Sequence, residues 1–441
     1  MNLNSHPYET YRFSASEWSD QIPSEWNEKR VKDLFRLVTE KAGNDNDHEL
    51  LSLYASIGVR PRKDLEARGN KASSTDGYWL VKKGDIVVNK LLAWMGSVGL
   101  SGYNGVTSPA YDVLRKTTQV LDERYFSYLF RTEIAKQIFR KNSRGIMDMR
   151  LRLYFDKLGA ITVPVPPFST QQAIATYIDT KTAQIDRQID LLGKKAILYG
   201  KLKQSLISET VARGLDKSVL MKDSGVEWFG DVPRHWHMKR LKELANIQNS
   251  NVDKKSSSQE DAVRLCNYVD VYKNDFINSQ LSSDFMWATA DESEIKKFRM
   301  KKHDVLITKD SETANDIAIP ALVTEALDGV LCGYHLAQIR ANSNYFFGPY
   351  LFRLFQAKNY GYRFVIFAKG ITRVGLGQGA IADTLTPVPP LPEQIAIAAY
   401  LDDKTAQINR IVTAINSQID KLKILRKALI NDAVTGKIKV V

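Results

Sequence analysis

The chain has 441 residues, 44% of them hydrophobic, which is material for two to four domains with real cores. Its only two cysteines, Cys266 and Cys332, exclude a disulfide framework or a cysteine-built metal cluster and fit a reducing compartment. No stretch approaches the roughly 20 apolar residues of a membrane span, and a net charge of +12, spread along the chain without a basic tail, points to a polyanionic partner met by local positive patches.

The first residues, MNLNSHPYETYRF, contain no apolar run of leader length. Residues 1–163 read as one α+β domain. IPSEW (Ile22 to Trp26) opens it, and VKDLFRLV follows as a short amphipathic piece. Leu50 to Ile57 and WLVKKGDIVVNK (Trp79 to Lys90) group their apolar residues as strands do, with Gly84 and Asp85 marking the turn. Gly96, Gly99, Gly102 and Gly105 predict a loop-rich stretch. YDVLR (Tyr111 to Arg115) is a further strand, and Tyr125 to Phe139 carries apolar residues at helical spacing. The charged run RKNSRGIMDMR then leads to a proline-rich stop.

That stop begins a segment the chain writes twice. PVPPFSTQQAIATYIDTKTAQID (Pro164 to Asp186) returns as PVPPLPEQIAIAAYLDDKTAQIN (Pro387 to Asn409), without a gap. Each copy, residues 164–214 and 387–441, predicts one long amphipathic helix. Its seam falls at heptad spacing: Ile185, Ile189, Leu192 and Leu206 in the first copy, with Ile408, Val412, Ile415, Ile419, Leu422 and Leu429 in the second. At about 1.5 Å per residue, a helix from Gln171 to Arg213 spans on the order of 65 Å.

Residues 215–386 replay the first domain. DVPRHW pairs with QIPSEW, VKKGDIVV with MKKHDVLI, YDVLR with LAQIR and RGI (Arg144 to Ile146) with KGI (Lys369 to Ile371). Lys90 thus faces Lys309, and Arg115 faces Arg340. The expected fold class is α+β: two repeated α/β domains separated by two long helices that pair as an antiparallel coiled coil, with pseudo-two-fold symmetry. The inverted second domain suits a DNA duplex.

Catalytic motifs do not assemble. VPPF (Val165 to Phe168) is similar to the Asn-Pro-Pro-aromatic motif of adenine methyltransferases, but Val165 has no amide to hold a target amino group. GLGQG (Gly375 to Gly379) lacks the strand–turn–helix setting of a nucleotide-binding turn. Asp284 or Asp291 with Glu294 and Lys296 read as a solvated helix end rather than a converging two-metal site. VTGKIK lacks the remainder of a Walker A loop. His235 and His237 flank Trp236 without a nearby ligand set, so no metal, cofactor or catalytic residue is expected in this chain.

With its doubled order, its paired domain openings, KKGDIVVNK and the PxPP-x-x-x-Q-x-A-I-A…YLD helix start, the chain resembles the specificity subunits of type I restriction–modification systems from about residue 20 onward. The family pattern has Glu-Gln at the helix start; here Glu393–Gln394 keeps it and Thr170–Gln171 does not, which changes a predicted capping residue. The resemblance implies two target recognition domains reading a bipartite target in double-stranded DNA, with the helices fixing the unread gap. It also implies partners: two methyltransferase subunits, which bind S-adenosylmethionine and would dock on the helices, and two restriction/translocation subunits, which use ATP and magnesium. The chain itself is then non-catalytic. A coiled-coil scaffold that assembles proteins without reading DNA is the alternative, and a self-contained methyltransferase or nuclease is a weaker one.

Bases are read by Arg, Lys, Asn and Gln, and phosphates by cations. The candidate DNA contacts in the first domain are Arg60, Arg62, Lys63, Arg68, Lys71, Asn89, Lys90, Trp94, Arg144 and Arg150. In the second they are Lys254, Lys255, Arg299, Lys301, Lys302, Lys309, Lys369 and Arg373. Lys90 and Lys309 stand out because each ends the same apolar strand of its repeat.

Overall fold

The computed structural model describes residues 7–54, 57–64, 75–147, 150–281 and 283–440. The chain divides into two compact units. Unit one comprises residues 1–192 and 417–441, and unit two residues 193–416. Each unit therefore holds one globular domain, the N-terminal part of one long helix and the C-terminal part of the other.

Unit one is built on an antiparallel sheet in the order Phe35–Leu37, Tyr111–Lys116, Ile86–Asn89, Val98–Leu100. Ile86–Asn89 is buried throughout, which explains why it reads as an unbroken apolar run. Val98–Leu100 and Gly105–Thr107 are strands where the sequence predicted loops. Their glycines permit close backbone approach: a Cβ on Gly99 would fall 2.8 Å from Leu53 Cδ1, and one on Gly105 2.2 Å from the Glu49 carbonyl oxygen. VKDLFRLV splits into a helical turn, Val31–Leu34, and the strand Phe35–Leu37. The helical pattern from Tyr125 to Phe139 divides into Glu123–Leu129 and Glu133–Asn142, because the Thr132 hydroxyl accepts the Ala135 N–H and starts a second helix.

Unit two repeats this sheet in the order Ala245–Asn249, Leu336–Ala341, Val305–Thr308, Pro320–Val323, and adds a parallel edge strand, Phe276–Ile277. Cys266 and Cys332 are free, buried thiols opposite one another on neighbouring parallel strands.

One ion pair recurs in the two sheets. Arg115 grips Asp85 through Nε (2.9 Å) and Nη2 (2.8 Å), and Arg340 grips Asp304 through the same atoms (both 2.7 Å). Each aspartate also accepts the backbone N–H of the residue three positions earlier, Lys82 or Lys301, at 2.7 Å. The repeated K-K-x-D turn and the arginine on the neighbouring paired strand are thus a structural staple, with bidentate geometry fixing strand register.

The long helices are Phe168–Arg213 and Leu391–Val434. The glutamine of the repeated helix start is buried in both copies and ties the helix to its own domain. Gln171 accepts the Asp122 N–H (3.0 Å) and donates to the Pro166 carbonyl (2.8 Å). Gln394 accepts the Phe347 N–H (2.8 Å) and donates to the carbonyls of Tyr345 (3.0 Å) and Pro389 (2.8 Å). Glu393 does not cap its helix as the sequence suggested. Its carboxylate instead accepts from Trp236 Nε1 at 3.1 Å and lies 2.9 Å from His235 Nε2.

Within each unit the two helix segments pack antiparallel. In unit one, Asp186 pairs with Arg426 (3.0 Å), and Ile174 and Ile178 share a core with Leu429, Ala433 and Val434. In unit two, Lys203 donates to Asn409 (3.2 Å), while Ile207 and Val211 share a core with Ile397 and Leu401. Ile185, Ile408, Ile415 and Leu429 are buried, and Ile189, Leu192, Leu206, Val412, Ile419 and Leu422 are half-buried. At the end of the first helix, Ile207 rather than Leu206 is fully buried. A straight helix drifts by about 20° per heptad, and here its last turns pack against the globular core residues Trp236 and Tyr350 as well as the partner helix.

Both helix C-termini are pinned by a tyrosine at the same repeat position. Tyr125 OH donates to the Val434 carbonyl at 2.9 Å, and Tyr350 OH lies 3.4 Å from the carbonyl oxygens of Val211 and Pro387. The helices end in Gly214 and Gly436 at φ +72° and +75°, the left-handed cap that glycine adopts without strain. A Cβ on Gly436 would also collide with Pro23, 2.5 Å away.

Candidate nucleic-acid interface

In each unit a basic hairpin hangs from the end of the strand that carries the repeated lysine. The Leu153 N–H donates to the Lys90 carbonyl (2.9 Å), and the Leu376 N–H donates to the Lys309 carbonyl (2.8 Å). Immediately before these residues the chain closes a loop: Arg144 and Arg152 exchange backbone hydrogen bonds in unit one, and Lys369 and Gly375 do so in unit two. Lys90, Arg144 and Arg150 are thereby gathered at one strand end, and Lys309, Lys369 and Arg373 at its counterpart.

The two lysines themselves are held inside. Lys90 Nζ lies 3.5 Å from Asp112, whose side chain is 8% exposed. Burial raises the pKa of that carboxyl, and the Lys90 charge opposes the rise. Lys309 is buried, 2.6 Å from Asp310 and with its ammonium 4.8 Å from the Tyr334 ring centroid. His335 Nδ1 lies 3.4 Å from the same Asp310 carboxylate, and Arg373 Nη2 is 3.2 Å from the His335 ring nitrogens. Burial depresses the His335 pKa; Asp310 opposes this, while Arg373 and Lys309 add to it. The paired lysines organise acidic and aromatic neighbours rather than projecting into solvent, which the sequence did not foretell. Asp112 looks unremarkable until the pairing register places it beside Lys90, whereas Asp310 follows Lys309 directly in the chain and only its burial with Tyr334 and His335 is a tertiary feature.

Other candidates are separated from these clusters. Lys301 and Lys302 precede the Val305–Thr308 strand and Lys309 follows it, so about 13 Å of extended chain lies between them. Arg299 sits at the Lys301 end, paired with Asp328 at 3.1 Å. Arg60, Arg62 and Lys63 belong to the separate hairpin of Leu51–Tyr54 and Gly58–Pro61 and its following turn. There Arg60 donates to Tyr103 OH (3.0 Å) and Lys63 pairs with Glu49. Lys254 and Lys255 are exposed on a loop. Asn89 is buried, and its side-chain oxygen accepts the Leu91 N–H at 2.9 Å, so it shapes the turn after its strand. Trp94 packs partly against the core beneath the Arg140 guanidinium, with Nε1 donating to the Leu91 carbonyl. Arg68 and Lys71 lie outside the described residues.

The side chains considered for two-metal or nucleotide-binding chemistry have structural partners. Asp291 and Glu294 form a capping box on the helix Glu292–Phe298. Gln378 in the glycine-rich GLGQG stretch starts a five-residue helix and donates to the Ile247 carbonyl. No helix among the described residues is long and apolar enough to cross a membrane.

Comparison with known proteins agrees with the duplicated architecture. A model described as the type I restriction modification DNA specificity domain matches residues 23–192 and again residues 233–421. The type I restriction enzyme MjaVIII specificity subunit of Methanocaldococcus jannaschii is 21% identical over 432 residues, covering 95% of this chain and 94% of the relative. The putative MjaX specificity subunit of the same organism is 23% identical over 458 residues, covering 98% of each. Among solved structures, a chain from work on complex assembly and conformational transition of the type I R-M system matches with a TM-score of 0.70 at 14% identity, over 94% of this chain and 99% of that one. The HsdS subunit of Thermoanaerobacter tengcongensis matches with a TM-score of 0.56 at 14% identity, over 94% and 98%. With both of its domains matched in sequence and its fold shared with solved relatives, the chain belongs to the type I restriction modification DNA specificity family.

Proposed function

We propose that this chain is the sequence-reading subunit of a type I restriction–modification complex, a non-catalytic protein that binds a bipartite target in double-stranded DNA. Each globular domain reads one half, and the paired helices set the gap between them. Adenine methylation and ATP-dependent restriction then belong to two methyltransferase and two restriction/translocation subunits, which supply S-adenosylmethionine, ATP and magnesium. The observation that carries this reading is the recurrence, in two domains of one family, of a basic hairpin on the same strand end. Two copies of one reading surface are what a split target requires.

The long helices support the docking of partner subunits. Leu191 and Ile424 in unit one, and Ile197, Leu198 and Leu202 in unit two, are apolar side chains more than half exposed on helices whose inner seams are already filled. Such unspent apolar surface is typical of a protein–protein contact.

The test is methylome sequencing of the host with and without this gene. Loss of one split adenine motif, and of no other, is the expected result; an unchanged methylome contradicts the proposal.

A further inference from the structure

Each basic hairpin carries at its tip an isoleucine wholly in solvent: Ile146 is 100% and Ile371 102% exposed. Single exposed apolar residues are ordinary, but these two close the same triplet, Arg144–Ile146 in one unit and Lys369–Ile371 in the other, while the residues that follow differ in sequence. The loops are shaped to hold the tip outward. The preceding glycines, Gly145 and Gly370, have φ of +149° and +143°. A Cβ on either would fall 2.5 Å from the Arg150 carbonyl oxygen or 1.8 Å from that of Arg373, so only glycine closes the turn. Cations of the same loop flank each tip, Arg144 and Arg150 in one and Lys369 and Arg373 in the other. Arg144 is held by Asp156 at 2.8 Å, a solvent-exposed pair that a phosphate can replace at little cost.

Cations on either side of an outward apolar side chain match a duplex, whose phosphates take the charges while a base step receives the wedge. We propose that Ile146 and Ile371 are such wedges, each inserted between adjacent base pairs of the half-target bound by its unit and unstacking that step. The inference rests on the DNA-reading function above and adds a shape-reading component to it. Pyrimidine–purine steps unstack at least cost, so each half-target should present one at the wedge position.

The full-length chain, together with its methyltransferase partner, is tested on duplexes bearing the methylated motif. In these duplexes 2-aminopurine replaces, one at a time, purines other than the methylated adenines. The wild-type protein should brighten the probe several-fold at one step in each half. Ile146→Ser should abolish the signal in one half and Ile371→Ser in the other, with about tenfold weaker binding to the motif and unchanged binding to a scrambled duplex. Leucine at either position should retain the signal. Both side chains are fully exposed, so none of these changes threatens folding. A wild-type protein that binds motif and scrambled duplexes equally would overturn the DNA-reading function itself. Specific binding with no brightened step, or with brightening unchanged in the serine variants, would overturn the wedge alone. So would serine variants that brighten normally but lose the methyltransferase subunit, since the tips would then face protein.

Discussion

Replacing Lys90 with methionine separates two uses of one charge, as counter-ion to Asp112 inside the domain and as a phosphate contact outside it. Methionine keeps the aliphatic stem, so packing changes little. What is lost is the cation 3.5 Å from a carboxylate that is 8% exposed. Breaking a buried pair by removing one partner costs about 3–5 kcal/mol; the Lys90 side chain keeps some solvent contact, so about 2–3 kcal/mol is expected at neutral pH. The pH dependence has a definite sign. Burial already places the folded-state pKa of Asp112 above its unfolded value, and loss of Lys90 raises it further. A group with a raised folded pKa imposes no penalty below its unfolded pKa, about 3.9, and costs stability as pH rises through the folded value. The variant should therefore approach wild type in acid and depart from it at neutral pH. Urea unfolding of wild type, Lys90→Met, Asp112→Asn and the double variant at two pH values measures this, with an expected coupling of about 2 kcal/mol. The double variant, refilled with a neutral pair, then isolates the DNA role: its salt slope should fall by about one if Lys90 also meets a phosphate. A Lys90→Met protein that unfolds like wild type at neutral pH, or whose deficit is the same in acid, would refute this reasoning.

Exchanging the helix-start residues tests a second asymmetry. Trp236 Nε1 donates to Glu393, whereas Trp26 Nε1 is buried beside Tyr8 and makes no hydrogen bond of good geometry among the described residues. Thr170→Glu should stabilise unit one by about 1 kcal/mol, and Glu393→Thr should destabilise unit two by a similar amount, both read by chemical denaturation. Because the folded-state pKa values of His335 and His303 are depressed, chiefly by burial, the unfolded chain binds more protons. Stability should thus fall as pH drops below about 6.5, and His335→Gln should remove part of that loss in pH-dependent melting curves. Inserting AEKL after Lys195 lengthens the first helix by about 6 Å; in the methylome the gap should widen by one or two base pairs while both half-targets keep their bases.

Much of the fold was legible because it is written twice. The repeat of Pro164 to Asp186 at Pro387 to Asn409 announces two like helices, and the repeated KKGDIVV and MKKHDVLI runs announce two like strands, since local periodicity and turn chemistry suffice for such elements. The strands at Val98–Leu100 and Gly105–Thr107 were hidden, because their glycines serve close contacts with Leu53 and Glu49, and only the folded chain brings those neighbours near.

The same division runs through the interface. Sequence alone determined the family, the duplication, the helix seam and the equivalence of Lys90 with Lys309 and of RGI with KGI, all properties of order along the chain. Tertiary structure decided which of those residues meet. Strand register set Lys90 against Asp112, and packing under Tyr334 and His335 enclosed Lys309 with its chain neighbour Asp310, turning two apparent surface cations into half-buried and buried ones. Hydrogen bonds from Leu153 to Lys90 and from Leu376 to Lys309, 63 and 67 positions apart, carried the loops of Arg144 and Lys369 to those strand ends and left Ile146 and Ile371 in water. Charge and polarity are carried by each residue, but burial and pairing come from neighbours distant in sequence, and only the packed chain supplies them.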